Sequence, residues 1–334
     1  MSSKRVLITG GLGFIGSNLA HALVARGDKV RILDAKLAPY GFNDANIKEI
    51  RNLVDLRIGD VRDLDTVKSS LEDVDAVVDL AAQVSHTLSI KDPFLDVAIN
   101  CGGAINVLEA VRQLHQRDVA RVRVVYGSTR GVVGRLAPEQ LGKVDENCAC
   151  NPTDMNGVNK LAAEKYYMLY HRVHGLSTVA LRINNTYGPR CQIRNDDYGV
   201  VNWFVRRVLL GEPIVMHGDG AQTRDYNYID DVTRAFLLAI DGSQVVGETF
   251  WLGSGGSGVS LKSVVEKIIL LAKSNARIEF VPRPQGRQAI EIGDFSVQIK
   301  KIGEKFGWRP QTDLDTGLKK TIEFYRERIS EYVP

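Results

Sequence analysis

Apolar residues in the first half of the chain come in short unbroken runs rather than in alternation. Arg5-Val6-Leu7-Ile8-Thr9 is one such run and ends on glycines, which predicts a strand covered on both faces in a parallel sheet. Over 17–26 the period becomes helical, with Leu19, Ala20, Leu23 and Val24 on one face, and Gly27-Asp28 stops it. Lys29–Asp34 predicts the second strand, and 56–60, 76–80, 122–126 and 177–182 predict four more. Helical patterns over 64–71, 100–115 and 158–173 separate them. That alternation predicts an α/β fold with a Rossmann-type doubly wound parallel sheet.

After about residue 183 the pattern changes. Turns at Gly188-Pro189, Gly211-Glu212-Pro213 and Gly218-Asp219-Gly220 break the chain into short irregular strands, with helices expected over 261–273 and 318–328. We expect residues 1–182 to form the sheet domain, with 223–250 returning to it. Residues 183–222 and 251–334 should form a smaller mixed α/β domain, packed closely enough to leave a cleft between the two.

Composition narrows the function classes. The 334 residues are 44% hydrophobic and 25% charged, with a net charge of +3, too slight to call for a nucleic-acid or membrane-surface partner. Lys319, Lys320 and Arg326 read as solvated helix faces. Cys101, Cys148, Cys150 and Cys191 contain a lone C-x-C without a second pair, so no metal site is expected. No stretch is expected to approach a transmembrane length. No signal-like segment precedes the first strand, so the cytoplasm is the expected compartment.

Candidate chemistry begins at Thr9-Gly10-Gly11-Leu12-Gly13-Phe14-Ile15-Gly16, which follows a strand and opens a helix. Gly10 permits the tight turn, Gly13 lets backbone amides approach a pyrophosphate, and Gly16 lets the helix pack closely. Asp34 ends the next strand, 24 residues after Gly10, where a carboxylate meets ribose hydroxyls. This predicts a dinucleotide site. Asp34 repels a 2′-phosphate, which favours NAD over NADP. Lys36 lies near enough to soften that preference, unless it is a solvent-facing loop lysine.

The T-G-x-x-G-x-x-G spacing resembles that of the extended short-chain dehydrogenase/reductase family, the nucleotide-sugar epimerases and dehydratases. Further blocks agree in order. Gly59-Asp60-Val61-Arg62-Asp63 resembles the family's adenine-contact segment, and Leu80-Ala81-Ala82-Gln83 its turn beside the nicotinamide ribose. Asn100, Gly103 and Asn106 match its N-x-x-G-x-x-N helix start, and Phe306-Gly307-Trp308-Arg309-Pro310 its C-terminal block. The 181–190 segment and Gly218-Asp219-Gly220 with Thr223-Arg224-Asp225-Tyr226 resemble its substrate side. Ala81-Ala82-Gln83-Val84-Ser85 and Ser89-Ile90-Lys91-Asp92-Pro93 look most like the epimerases. The resemblance implies bound NAD that takes a hydride from a sugar carbon and returns it. It also implies a nucleotide diphosphate-sugar substrate and a homodimer, formed by pairing the 100–115 and 158–173 helices, the second made apolar by Tyr167, Leu169 and Tyr170.

The family's proton acceptor is the tyrosine of Y-x-x-x-K, its pKa lowered by the lysine. Here Lys160-Leu161-Ala162-Ala163-Glu164 fits the block, but the tyrosine position holds Asn156, which has no titratable proton. Tyr166, Tyr167 and Tyr170 lie beyond the lysine and cannot complete the motif. Thr129 falls where the family's catalytic hydroxyl stands. Arg130-Gly131 replaces the Asp-Glu pair common in dehydratases, which argues against 4,6-dehydration. Three readings of Asn156 stay open: a substituted variant, a natural member with another proton route (Thr129, a water on Asn156, or His86), or a member that binds without catalysing. On the first and third, turnover is slow and Asn156→Tyr raises it at least roughly tenfold. On the substrate side, Ser85 and His86 would face the sugar, Asn185 the sugar-side phosphate, and Val215 and His217 the nucleobase. Arg224 and Arg283 would hold the diphosphate with their planar forks, and Tyr226 would flank it.

Overall fold

In this computed structural model residues 3–38, 41–142, 144–242, 244–282 and 292–333 are described; Arg283 lies outside them. The apolar runs become strands β1 (Arg5–Thr9), β2 (Lys29–Asp34), β3 (Val54–Ile58), β4 (Ala76–Asp79), β5 (Arg123–Thr129), β6 (Ser177–Ile183) and β7 (Glu248–Leu252). They form one parallel sheet in the order β7-β6-β5-β4-β1-β2-β3. The order reverses between β1 and β4, and a doubly wound sheet binds its ligand at such a switch point, outside the carboxyl ends of the strands. Leu7, Ile8, Val77, Val78, Val124 and Val125 have no exposed surface, as strands covered by helices on both faces require.

The third strand lies two residues earlier than the pattern predicts. The 3-10 stretch Asp44–Leu53 runs straight into Val54, which pairs with Val30. Gly59 leaves the sheet, its amide donating to Asp34 O at 3.1 Å, so Asp60 and Val61 turn toward the carboxyl edge. The first helix starts three residues earlier than its apolar face, at Phe14, directly on the glycine turn.

The helix expected over 100–115 is the end of a longer helical run. Pro93–Val97, a π turn at Ala98–Gly103 and Ala104–Leu114 follow without a break. This corrects the expectation that no stretch approaches a transmembrane length. Pro93–Leu114 spans 22 residues at a mean hydropathy of 1.4 and is long and apolar enough to cross a membrane. More than half of that window is buried within the protein, where Val107, Leu108, Ala110 and Val111 pack on the sheet, which explains the apolar composition. The Met155–His174 helix lies beside it, capped at its start by Asp154 and ended by Gly175 in the left-handed conformation.

β7 belongs to the sheet although it lies far along the chain. It pairs with β6 from Glu248↔Val179 to Leu252↔Ile183, and the Ile229–Asp241 helix before it packs on the Phe14–Arg26 helix. Among the described residues, three two-stranded sheets complete the C-terminal side. Asn185–Tyr187 pairs with Tyr226–Tyr228, Thr223–Arg224 with Val259–Ser260, and Ile214–His217 with Ile278–Val281.

Candidate active site

A cleft of 370 Å³ runs along the carboxyl edge of the sheet. Gly10, Gly13, Phe14, Ile15, Gly16, Asp34, Asp60 and Val61 line one end. Leu80, Ala81, Ala82 and Gln83 line its middle. His86, Thr129, Asn156 and Lys160 line the other end.

The first end is a backbone cradle. Gly10 has φ +67°, and a Cβ there would stand 2.9 Å from Leu80 O; a Cβ on Gly16 would stand 2.5 Å from Gly10 O. The Phe14–Arg26 helix has no side-chain cap at Gly13, so its first-turn amides and the positive end of its dipole face the cleft. Asp34 is buried, accepts from the amides of Leu12 (3.0 Å) and Lys36 (2.9 Å), and keeps lone pairs for hydroxyl donors. Burial raises its carboxyl above the usual carboxylate range despite those amide bonds. Lys36 pairs with Asp44 at 2.7 Å, and Asp60 with Arg62 at 2.6 Å. Pyrophosphate at the helix start and ribose at Asp34 both fit these residues.

The second end is held by side chains. Asp96 has no exposed surface and is surrounded by amides: Asn100 (3.1 Å) and Asn159 (2.7 Å) donate to Oδ1, Gln83 (2.7 Å) and Asn156 (3.4 Å) to Oδ2. Asn156 also donates to Gln83 O at 2.7 Å, which Asn100 reaches from the π turn at 3.0 Å. Asn156 is thus a donor within a buried network, a role that needs an NH₂. Lys160 donates to Gly127 O at 2.7 Å and lies 4.3 Å from the centre of the Tyr126 ring. Burial lowers its ammonium to about 8, although Asp79 and Asp96 pull the other way. Tyr126 stacks on Tyr167 at 4.5 Å, and Tyr167 donates to Asp79 at 2.6 Å. Burial pushes both phenols well above 10, so neither replaces the absent tyrosine as a base. Tyr170 binds Glu109 at 2.8 Å.

Thr129 ends β5, and its Oγ1 accepts from Gly131 N at 3.2 Å. His86 begins the His86–Lys91 helix, which Ser85 caps by accepting from Leu88 N. Its ring meets Asp154, with Nδ1 and Oδ2 2.5 Å apart. Asp154 Oδ1 accepts from Gly157 N at 2.7 Å. Burial alone would raise the Asp154 carboxyl, but the bond from His86 and its charge hold it below the usual range.

The remaining substrate candidates do not line the cleft. Asn185 points away from it while its neighbours Asn184 and Thr186 line it, because successive side chains of an extended segment alternate. Asn184 is buried and its Nδ2 has no partner; the Oδ1 of Asn185 also lacks one. Val215 and His217 lie on the exposed face of their strand, opposite Ile214 and Met216. Arg224 is buried and donates to Thr223 O (2.9 Å) and to Gly293 O. Its charge and that of Arg130 act on the buried Tyr226 hydroxyl, which burial nevertheless pushes up to about 12. Ile183, at the end of β6, also lines the cleft, as do Cys191, Gln192, Tyr198 and Gly199 from a loop without a recognisable motif.

The sequence model of the NAD dependent epimerase/dehydratase family matches residues 6–253. The chain belongs to this family. It is 30% identical to a CDP-paratose 2-epimerase of Salmonella typhi, over 96% of this chain and 98% of that one. The solved UDP-glucose 4-epimerase of Thermotoga maritima with UDP-glucose superposes with a TM-score of 0.87 at 28% identity, covering 97% and 99% of the two chains. That of Thermus thermophilus in complex with NAD gives 0.84 at 30% identity, covering 96% and 99%. The chain is therefore an NAD-dependent enzyme of nucleotide-sugar epimerisation or dehydration.

Proposed function

We propose that this member of the family is an epimerase that inverts a hydroxyl-bearing carbon of a nucleoside diphosphate-sugar through a transient keto-sugar. The observation that carries the choice is the end of β5. Thr129 is followed there by Arg130 and Gly131, so no carboxylic acid stands beside it to protonate a departing hydroxyl. When bound, NAD accepts a hydride from the sugar carbon and gives it back. The Gly10–Gly16 turn and Asp34 hold it along the first end of the cleft. Lys160, fixed on Gly127 O, would supply a cation beside the bound cofactor, and the Thr129 hydroxyl would orient the sugar oxygen. Asn184, in the cleft wall, offers an unpaired donor to the substrate.

The test is incubation of the NAD-loaded protein with UDP-, GDP-, CDP- and dTDP-hexoses, followed by chromatography and mass spectrometry. An epimer of unchanged mass is expected. Loss of water from the sugar would make it a dehydratase, and no product from any of the four would refute the assignment.

A homodimer completes the proposal. Ile90, Phe94 and Val97 on one side and Met155, Val158, Leu169 and Val173 on the other are exposed apolar residues on two adjacent helical runs. Tyr167, expected to contribute to that face, is buried inside the subunit instead. Sedimentation should show a dimer at micromolar concentration, and Phe94→Glu should shift it toward monomer. A monomeric native chain would remove the claim.

A further inference from the structure

We infer that His86, oriented by Asp154, is the acid/base of this enzyme and occupies the functional place that the tyrosine of Y-x-x-x-K leaves open. The inference rests on the epimerase reading above. Three observations carry it. The residue at the tyrosine position, Asn156, is committed to Asp96 and Gln83 and cannot titrate. The tyrosines nearest Lys160 are locked in the core. And the cleft wall offers one imidazole with a buried carboxylate behind it.

The geometry sets the protonation pattern. A carboxylate only accepts, so the 2.5 Å contact with Asp154 puts a proton on His86 Nδ1, and in the neutral ring that acts as base the lone pair is on Nε2. Asp154 cannot swing away, because its other oxygen holds the start of the Met155–His174 helix through Gly157 N. Its side chain is 3% exposed, against 34% for His86, so the carboxylate is the rigid support and the imidazole is the part open to the cleft. The ring and Thr129 flank Gly131. A Cβ placed on Gly131 would stand 3.5 Å from His86 Cε1 and 3.5 Å from Thr129 Cγ2, so glycine there keeps a gap about one methyl wide between them. Asp154 is then a positioning residue, and His86 is the group that meets the sugar hydroxyl.

In the oxidation half the sugar O–H bond breaks and its proton forms a new N–H bond at Nε2. The O–H electron pair becomes the second bond of the carbonyl as the carbon gives up its hydride to NAD. In the return half Nε2 gives the same proton back to the oxygen. Imidazolium forms beside a carboxylate that stabilises it, and the proton count over the cycle is zero.

Two measurements test this. The first is ¹⁵N NMR of the imidazoles in the NAD-loaded native protein. His86 is expected as the Nδ1–H tautomer with a strongly hydrogen-bonded proton, lost in Asp154→Asn; an Nε2–H tautomer would overturn the assignment. The second is turnover of whichever of the UDP-, GDP-, CDP- and dTDP-hexoses the native chain epimerises. His86→Gln should lower kcat by about 10² to 10⁴, the usual worth of a general base, with KM and NAD binding little changed. His86→Ala should regain rate as imidazole is added. Asp154→Asn keeps the helix cap, since asparagine caps as well as aspartate, so its loss should fall on kcat. Native-like kcat in His86→Gln would overturn the inference and leave the epimerase reading standing. So would slow native turnover that Asn156→Tyr raises tenfold. A native chain inert toward all four sugars would overturn both.

Discussion

The two ends of the cleft are built on different principles. At the cofactor end the cleft presents backbone amides, placed by a turn of a few consecutive residues, and a buried carboxylate, Asp34, positioned by the strand that carries it. At the catalytic end the working groups are side chains from four separate segments: Gln83, Asp96 and Asn100, Thr129, and Asn156 with Lys160. Gln83, Asn100 and Asn156 are held around Asp96, Lys160 is held on Gly127 O, and the buried Arg182–Glu164–Ser128 group adjoins Thr129 through Ser128. The first arrangement tolerates change outside its short motif. The second allows the chemistry to move from one residue to another while the scaffold stays, because a new side chain must satisfy only its immediate partners.

The sharpest way to break the catalytic end from behind is Glu164→Gln. Glu164 accepts from Ser128 at 2.7 Å and from Arg182 at 3.0 and 2.7 Å, all buried. Leaving Arg182 unpaired should cost about 3–5 kcal/mol in chemical denaturation. A loss below about 1 kcal/mol would mean that this group does not brace the site.

A pH effect follows from Lys160. Burial lowers it to about 8 from an ordinary value of 10.5, so between those values the unfolded chain binds a proton that the folded chain has released. Stability should therefore rise with pH through that window. Lys160→Met should remove this rise, seen as parallel melting curves at the two pH limits; an unchanged slope would show that the ammonium is not desolvated.

At the cofactor end, Gly16→Val places atoms against Gly10 O and Gly11 Cα, which should cost about 1–3 kcal/mol by overpacking. Fluorescence titration should show NAD weakened by at least about tenfold, or ~1.4 kcal/mol. The mildest expected effect is on cofactor choice. The native protein should bind NAD more tightly than NADP, and Asp34→Asn should narrow the ratio by about tenfold. Preference for NADP in the native protein would show that Lys36, despite its bond to Asp44, dominates Asp34.

Both ends were legible to different depths. The glycine turn, Asp34, and the β5 and Met155–His174 positions were readable because each depends on residues close in sequence and on one periodicity. The cluster around Asp96 was not. Gln83 and Asn100 stood out only as parts of family blocks, and nothing in the chain pattern marked Asp96 or Asn159, whose role exists only once a π turn brings Asn100 over Gln83. That Asn184 and Thr186 line the cleft was not marked, since the alternation of a three-residue strand cannot be phased without its partner, Tyr226–Tyr228. Arg224 is an arginine in a recognisable block, yet tertiary contacts turn its guanidinium onto Gly293 and Thr223 carbonyls. His86 was visible as a histidine after a turn; Asp154, 68 residues away, gives it an orientation that no spacing rule contains.

The sequence by itself determined the parallel sheet and the glycine turn that opens its first helix, because buried runs, helical periods and a glycine turn act over a handful of neighbouring residues. Only the tertiary structure decided which side chains share the far end of that cleft. A carboxylate chooses its donors by distance in space, and segments that no local signal relates must fold together before Asn156 can be bound to Asp96 and His86 to Asp154.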